Sequence, residues 1–175
     1  MGMPVILWWR AAKIPANYRR AIDPLIETAR IFLEDGRSLD PVAVVGNTST
    51  SQGVSVPIEL GYDASNARTT HAIQAAASDI NADFILTIVE AWGLPKDMAH
   101  RHQEILDRYG TIANSPHKID TASFTLELRQ GIWAAQLPIV PKDTVNKTRT
   151  FGEVRLEFVE SVQGLARLLP VAKSR

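Results

Sequence analysis

Cysteine is absent from this 175-residue chain. That excludes disulfides, thiolate metal sites and a cysteine nucleophile, and it suits a reducing compartment such as the cytoplasm. An excess of one charge is also absent. Lys+Arg and Asp+Glu number 19 each, so no global field draws the chain to nucleic acid or anionic lipid, although a local basic patch could still do so. Long apolar runs are missing. The stretch Val5–Trp9 in "MGMPVILWWRAAKIP" is too short to span a bilayer, and it lacks the basic and long apolar regions of a signal peptide. Catalytic signatures are missing as well. "GNTSTSQG" has two glycines and several hydroxyls, but no lysine follows as in a phosphate-binding loop. No G-x-S-x-G elbow supports a hydrolase triad.

What remains is ordinary globular composition, 45% hydrophobic and 22% charged, in a length suited to one self-sufficient domain over residues 1–175. Residues 1–20 read as an N-terminal arm and 93–121 as a long connector. "AIDPLIETARIFLEDG" reads as a helix. Asp23 is placed to cap it, Pro24 fits the first turn, and Gly36 suits the left-handed C-terminal position. Ile22, Leu25, Ile26, Ala29, Phe32 and Leu33 share a face at helical spacing. "LDPVAVVG" reads as a strand and "GNTSTSQG" as a long loop. "VSVPIEL" reads as a second strand with Val54, Val56, Ile58 and Leu60 on one side. Pro57 argues that this strand lies at a sheet edge, because proline cannot donate to a ladder.

"ASNARTTHAIQAAASDINAD" predicts a second helix with Thr69, Ile73, Ala76, Ala77 and Ile80 inward, and "DFILTIVEAWGLP" a third strand. The connector contains a helical pattern, "KDMAHRHQEILDRYG", with Met98, His102, Ile105, Leu106 and Tyr109 inward. In "SFTLELRQGIWAAQLPI", Gln130-Gly131 suits a two-residue turn. Leu128 then faces Trp133, Leu126 faces Ala135 and Phe124 faces Leu137, all on one face. The opposite face carries Ser123, Thr125, Glu127 and Arg129 against Pro138, Gln136, Ala134 and Ile132, next to Ile85 and Val89 of the third strand. "VPKDTVNKTRT" reads as a loop, "EVRLEFV" as a sixth strand with Val154, Leu156 and Phe158 inward, and "SVQGLARLLP" as a closing helix. The expected fold is α+β, with a mainly antiparallel five- or six-stranded sheet and helices on one face. Its order is α-β-β-α-β-(α)-β-β-β-α.

That order resembles roadblock and profilin-like folds over residues 23–169, which implies a binding or dimerisation module. "FLEDGRSLDPVAVV", then Glu90-Ala91-Trp92, then Ser115-Pro116 and a strand, is similar to bacterial and phage proteins of unknown function that carry an E-A-W tripeptide. Those proteins often have an arginine shortly after Ser-Pro, where this chain has His117-Lys118. The resemblance spans residues 32–130 and implies no activity.

Candidate chemistry is sparse. Glu90 shares a strand face with Phe84, Leu86, Ile88 and Trp92, and an isolated buried carboxylate needs a partner. As a general acid or base it would need a histidine nearby, and His71, His102 and His117 are the candidates. The simpler reading makes Glu90 a tether to the connector's amides, to Lys118 or to Arg129. His100 and Glu104, four apart on a helix, are the pair a metal would use, but no third ligand is visible in the sequence. No cofactor motif is present and no small-molecule ligand is indicated. Arg10, Lys13, Arg19 and Arg20 beside Trp8, Trp9 and Tyr18 form a basic aromatic stretch of the kind that binds single strands, against which the balanced charge argues. The leading expectation is a non-catalytic binding or assembly module that forms a homo-oligomer, with Ile85, Val89, Ile132 and Ala134 covered either by a second copy or by the N-terminal arm with its Trp8 and Trp9. The alternatives are a small hydrolase-like enzyme using Glu90 with a histidine, and a nucleic-acid accessory protein.

Overall fold

The computed structural model describes residues 13–60, 63–159 and 167–170. The elements run α1 (Ala16–Glu34), β1 (Val42–Asn47), β2 (Gln52–Pro57), α2 (Asp63–Asp79), β3 (Phe84–Gly93), a 3₁₀ turn (Lys96–Arg101), α3 (His102–Tyr109), a second 3₁₀ turn (Ile112–Asn114), β4 (Ile119–Leu128), β5 (Gly131–Asp143), β6 (Thr148–Phe151) and β7 (Glu157–Phe158). The sheet is antiparallel in the order β2-β1-β3-β4-β5-β6, with β7 also paired to β5. The α+β class and the antiparallel sheet follow the sequence reading. Trp8, Trp9 and most of the expected closing helix lie outside the described residues, and 167–170 are irregular.

The helices pack on both faces of the sheet rather than on one. On one face Ile22, Ile26, Ala29 and Leu33 of α1 meet Phe84, Leu86 and Ile88 of β3 and Phe124, Leu126 and Leu128 of β4, with Trp133 and Phe151. On the other face Ile73 and Ala77 of α2 meet Ala43, Val45, Val56 and Ile85, with Leu169 from the C-terminal segment. Phe84, Leu86 and Ile88 of β3 enter one core and Ile85 the other, which is why the strand is largely apolar instead of alternating with polar residues.

α1 begins seven residues before the expected cap. The Pro15 carbonyl accepts from Tyr18 and Arg19, and Asp23 pairs with Arg19 at 3.5 Å instead of capping. Pro24 lies inside the helix. The stripe Tyr18, Ile22, Ile26, Ala29, Leu33 runs straight through it, so burial outweighs the missing amide. Gly36 ends the helix at φ 79°. The β1–β2 loop is tighter than expected, because Asn47 already pairs with Gln52. Asn47 is buried. Its carbonyl oxygen accepts from Ser49 and Thr50, and its amide donates to Ile80 and Asn81 at the end of α2. β2 is an edge strand, as Pro57 implied. Of its expected inward residues only Val56 is buried, while Val54 and Leu60 are exposed.

The β4–β5 turn is Arg129-Gln130, not Gln130-Gly131. Leu128 pairs with Gly131, Leu126 with Trp133 and Phe124 with Ala135. This shift of two residues preserves the faces, so Phe124, Leu126, Leu128 and Trp133 are buried together as expected. Gly131 lies in the strand because Phe158 occupies the space a Cβ would need, and Phe158 meets Trp133 edge-on at 5.2 Å. The stretch expected as a loop at 140–150 is instead the end of β5, a turn and β6. Asp143 organises that turn by accepting from Val145 at 2.8 Å and from Asn146. These bonds, that of Val145 first, hold its carboxyl below the usual range. "EVRLEFV" forms only the two-residue β7, although Val154, Leu156 and Phe158 do face the core.

β6 is fastened to α1 by polar side chains. The Arg30 guanidinium donates to the carbonyls of Phe151 and Gly152 and lies 4.4 Å from the Phe151 ring. Glu34 accepts from Lys142 at 2.7 Å and Thr150 at 2.9 Å. The Lys142 bond is the larger cause of a Glu34 pKa below its ordinary value.

Two outcomes follow. Leu126→Ala, at a fully buried site, should lower unfolding free energy by about 2–5 kcal/mol in chemical denaturation, and a midpoint left unmoved would contradict the packing. Glu34 has a folded pKa below its unfolded one, so its contribution is present above the unfolded value and is lost as pH falls through the folded value. Denaturation midpoints measured across that acid range should therefore fall less steeply for Glu34→Gln than for the parent chain.

Candidate binding groove

Glu90 answers first, as the most prominent candidate in the sequence. It sits on β3 opposite Ala122 of β4, facing the α1 side at the rim of the core. One carboxylate oxygen accepts the Leu39 amide at 3.1 Å. The other pairs with Arg149 of β6 at 2.5 Å, and Arg149 also lies 3.9 Å from Asp120. Glu90 is thus a tether, but not the expected one: its partners are the segment before β1 and β6, not the connector's amides, Lys118 or Arg129. Lys118 stands 4.4 Å over the ring of Trp92, which is exposed instead of belonging to the apolar face. The sequence concealed Arg149 because its strand, β6, lay in a stretch that reads as polar loop.

The histidines are scattered. His71 is exposed on α2, which covers the opposite face of the sheet from Glu90. His100 and His102 are exposed in the connector, so His102 is not on an inner side there. His117 is half-buried in the turn before β4, where its amide donates to Ser115. Neither of the two groups bonded to Glu90 is a histidine. Glu104 accepts two hydrogen bonds from Arg101, and chiefly for that reason its carboxyl is held below the usual range. Among the described residues no group of three or more His, Asp or Glu converges as metal ligands. Of the basic stretch, Arg10 lies outside the described residues and Arg19 is paired with Asp23.

The outer strip expected to drive self-association is covered in part. Ile85 and Ile132 are 1% and 3% exposed, whereas Val89 and Ala134 are half-buried. Ile85 packs with Ile73 and Ala77 of α2 and with Leu169. Glu127, itself buried, accepts from the amides of Leu168 and Leu169 at 3.0–3.1 Å and from Arg167 at 2.8 Å. Further along this face is an open trough of about 740 Å³ with a mixed lining, in which Leu94, Ile119, Ala134 and Leu137 stand beside Thr121, Ser123, Thr125 and Gln136.

The open apolar surface lies at the other end of the sheet. α1 covers the inner face from β3 outward and leaves a groove against the β1–β2 hairpin. Its apolar half, about 580 Å³, is lined by Leu25, Ala29, Phe32, Val42, Val44 and Ile88 among others. A second half, about 450 Å³, shares Leu25 and Val44 and continues past Asn17 and Arg20 to Gly53. The β2 edge beside it has a definite hydrogen-bonding pattern. The Ile58 amide donates to Pro41, and Val42 pairs with Pro57, so alternate pairs from there bond inward. Val54, Val56 and Gln52 therefore point their backbone groups at β1, while Gly53 and Ser55 point theirs away. Pro57 also points outward, where its missing N–H deprives the ladder of nothing.

No protein-family model, curated protein or solved structure matches this chain. No helix among the described residues is long and apolar enough to cross a membrane.

The tether makes a direct prediction. Glu90→Gln keeps an acceptor for Leu39 but removes the charge facing Arg149. With both side chains largely shielded, at 20% and 30% exposure, it should lower stability by about 1–3 kcal/mol. Urea denaturation checks this, and an unchanged midpoint would remove the tether.

Proposed function

We propose that the protein is a non-catalytic binding and assembly module that self-associates through the β2 edge, its partner being a second copy of this chain. The observation that carries this reading is the outward pattern of Gly53 and Ser55 around the exposed Val54, which is 40% accessible. Two β2 strands related by a twofold axis at Val54 place Gly53 opposite Ser55 of the second copy, and Ser55 opposite Gly53. Both are residues whose amides and carbonyls face away from β1, so each pair closes two backbone hydrogen bonds. Val54 then meets its own copy as a non-hydrogen-bonded pair, the closer kind, with Cα atoms about 4.5 Å apart. The contact is isologous and closes on itself.

Against an enzyme reading stands the employment of Glu90 by the Leu39 amide and Arg149, neither of them a histidine. Sedimentation equilibrium tests the proposal. The parent chain should show a concentration-dependent dimer, and Val54→Lys should weaken it at least about tenfold, or 1.4 kcal/mol, by placing like charges together at the axis. A parent chain that stays monomeric at every accessible concentration, or a Val54→Lys variant that dimerises equally well, would overturn it.

A further inference from the structure

We propose that the groove between α1 and the β1–β2 hairpin binds an anionic amphiphile, a single aliphatic chain with a carboxylate or phosphate head. The head lies at Arg20 and the chain runs toward Phe32. This gives the binding half of the proposed function a ligand class. It does not rest on the twofold contact, because the groove opens on the α1 face of the hairpin and the edge pairing lies in the plane of the sheet.

Charge gives the groove a direction. Among the described residues, Arg20 is the one charged side chain that lines the half nearer the start of α1. It is exposed, and no described residue holds it in an ion pair or a hydrogen bond. Its neighbours on α1 differ, for Arg19 pairs with Asp23 and Arg30 with Glu27. Two polar groups stand with Arg20 in this half. Gln52 accepts from Thr50 at 3.3 Å through its carbonyl oxygen, which leaves its amide N–H groups to donate, and Ser51 adds a hydroxyl. Asp83, the carboxylate bonded to this loop, is taken up by the amide and the hydroxyl of Thr48. The far half is arranged the opposite way. Its Arg37 lies 3.9 Å over the Phe32 ring and pairs with Asp35 at 3.4 Å, and Asp40 lines the same half. An anion therefore meets an unengaged cation only at the Arg20 end.

The walls select the rest of the ligand. Leu25 and Val44 belong to both halves, so the apolar floor is continuous, and Ala29, Val42 and Ile88 extend it. Arg20 and Phe32 are about 18 Å apart along α1 at 1.5 Å per residue. A peptide laid in the far half would bring an amide and a carbonyl with every residue, and each would need a partner. That half offers few. Thr28 already donates to the Pro24 carbonyl, and the Leu39 amide is taken by Glu90. An aliphatic chain brings no polar group to satisfy, and each methylene it buries is favourable. Two joined spaces of about 580 Å³ and 450 Å³ are of the size that holds a small molecule.

Isothermal titration calorimetry of the full chain with dodecanoate, in low-salt buffer and below the concentration at which it forms micelles, tests the proposal. The expected result is one site per chain. Dodecanoate should bind at least about tenfold more tightly than octanoate, since each fully buried methylene is worth about fourfold. Dodecyltrimethylammonium has the same chain and the opposite charge, and should bind at least about tenfold more weakly than dodecanoate. Arg20→Glu, at an exposed position, should weaken dodecanoate by at least about tenfold, and Arg20→Lys by less. Thr28→Trp, exposed on the wall of the far half, should weaken it by filling the path of the chain. Circular dichroism checks that each variant is folded. Whichever of dodecanoate and dodecyl phosphate binds more tightly identifies the head group, and either order supports the proposal. No binding of either anion, equal affinity for the cationic amphiphile, uptake of several equivalents per chain, or unchanged affinity in Arg20→Glu would overturn it. The twofold contact at Val54 is measured by sedimentation without amphiphile, so failure of either leaves the other standing.

Discussion

The whole arrangement depends on β3 being buried on both faces. A strand whose alternate side chains enter two different cores must have a helix on each side and a strand on each flank. Here α1 receives Phe84, Leu86 and Ile88, and the α2 core receives Ile85. β1 and β4 supply the flanking ladders. Gly46 shows how tight this centre is. It pairs with Phe84, and a Cβ at Gly46 would fall within the Phe84 ring. The chain thus builds outward from one strand, and the hairpin edge β2, two strands from β3, carries the exposed Val54.

Polar groups do the joining at the rims. Glu90 connects β3 to the segment before β1 and to β6, Arg30 and Glu34 connect α1 to the β5–β6 end, and Asp83 accepts from Thr48 at the hairpin loop. Each is a partly shielded group satisfied by backbone or by an opposite charge, as partly buried polar atoms must be. Among the described residues no buried side-chain polar atom is left without a partner.

What the sequence revealed follows from how local each signal is. The faces of β4 and β5 were legible because alternation survives a register slip of two, and the edge position of β2 was legible from Pro57 alone. The start of α1 was misplaced because Asp23-Pro24 has the chemistry of a helix start. The stripe from Tyr18 to Leu33 was the better guide, since burial outweighs capping. β6 was hidden because Asp143, Asn146 and Lys147 form a turn inside a polar stretch. The second helical layer was hidden because an apolar β3 fits either one covered face or two. Glu127 is the clearest failure. It reads as a solvent-facing residue on a two-sided strand, and only a segment forty residues later in the chain makes it a buried acceptor.

That distance has a consequence for synthesis. Glu127 leaves the ribosome well before Leu168 and Leu169, the residues whose amides it needs. Until they arrive, β4 and β5 can pair and the α1 face can close, but the opposite face lacks its strap. Ile132 and Ile85 are then less covered beside a hydrated carboxylate. The order of synthesis therefore lets the core on the α1 side form before the one on the α2 side can be complete. The charge of Glu127 is useful in that interval, because it places an anion in the middle of an apolar strip that could otherwise pair with a neighbouring chain. When residues 167–169 arrive, the same carboxylate becomes their anchor, so the group that protects the incomplete sheet also completes it.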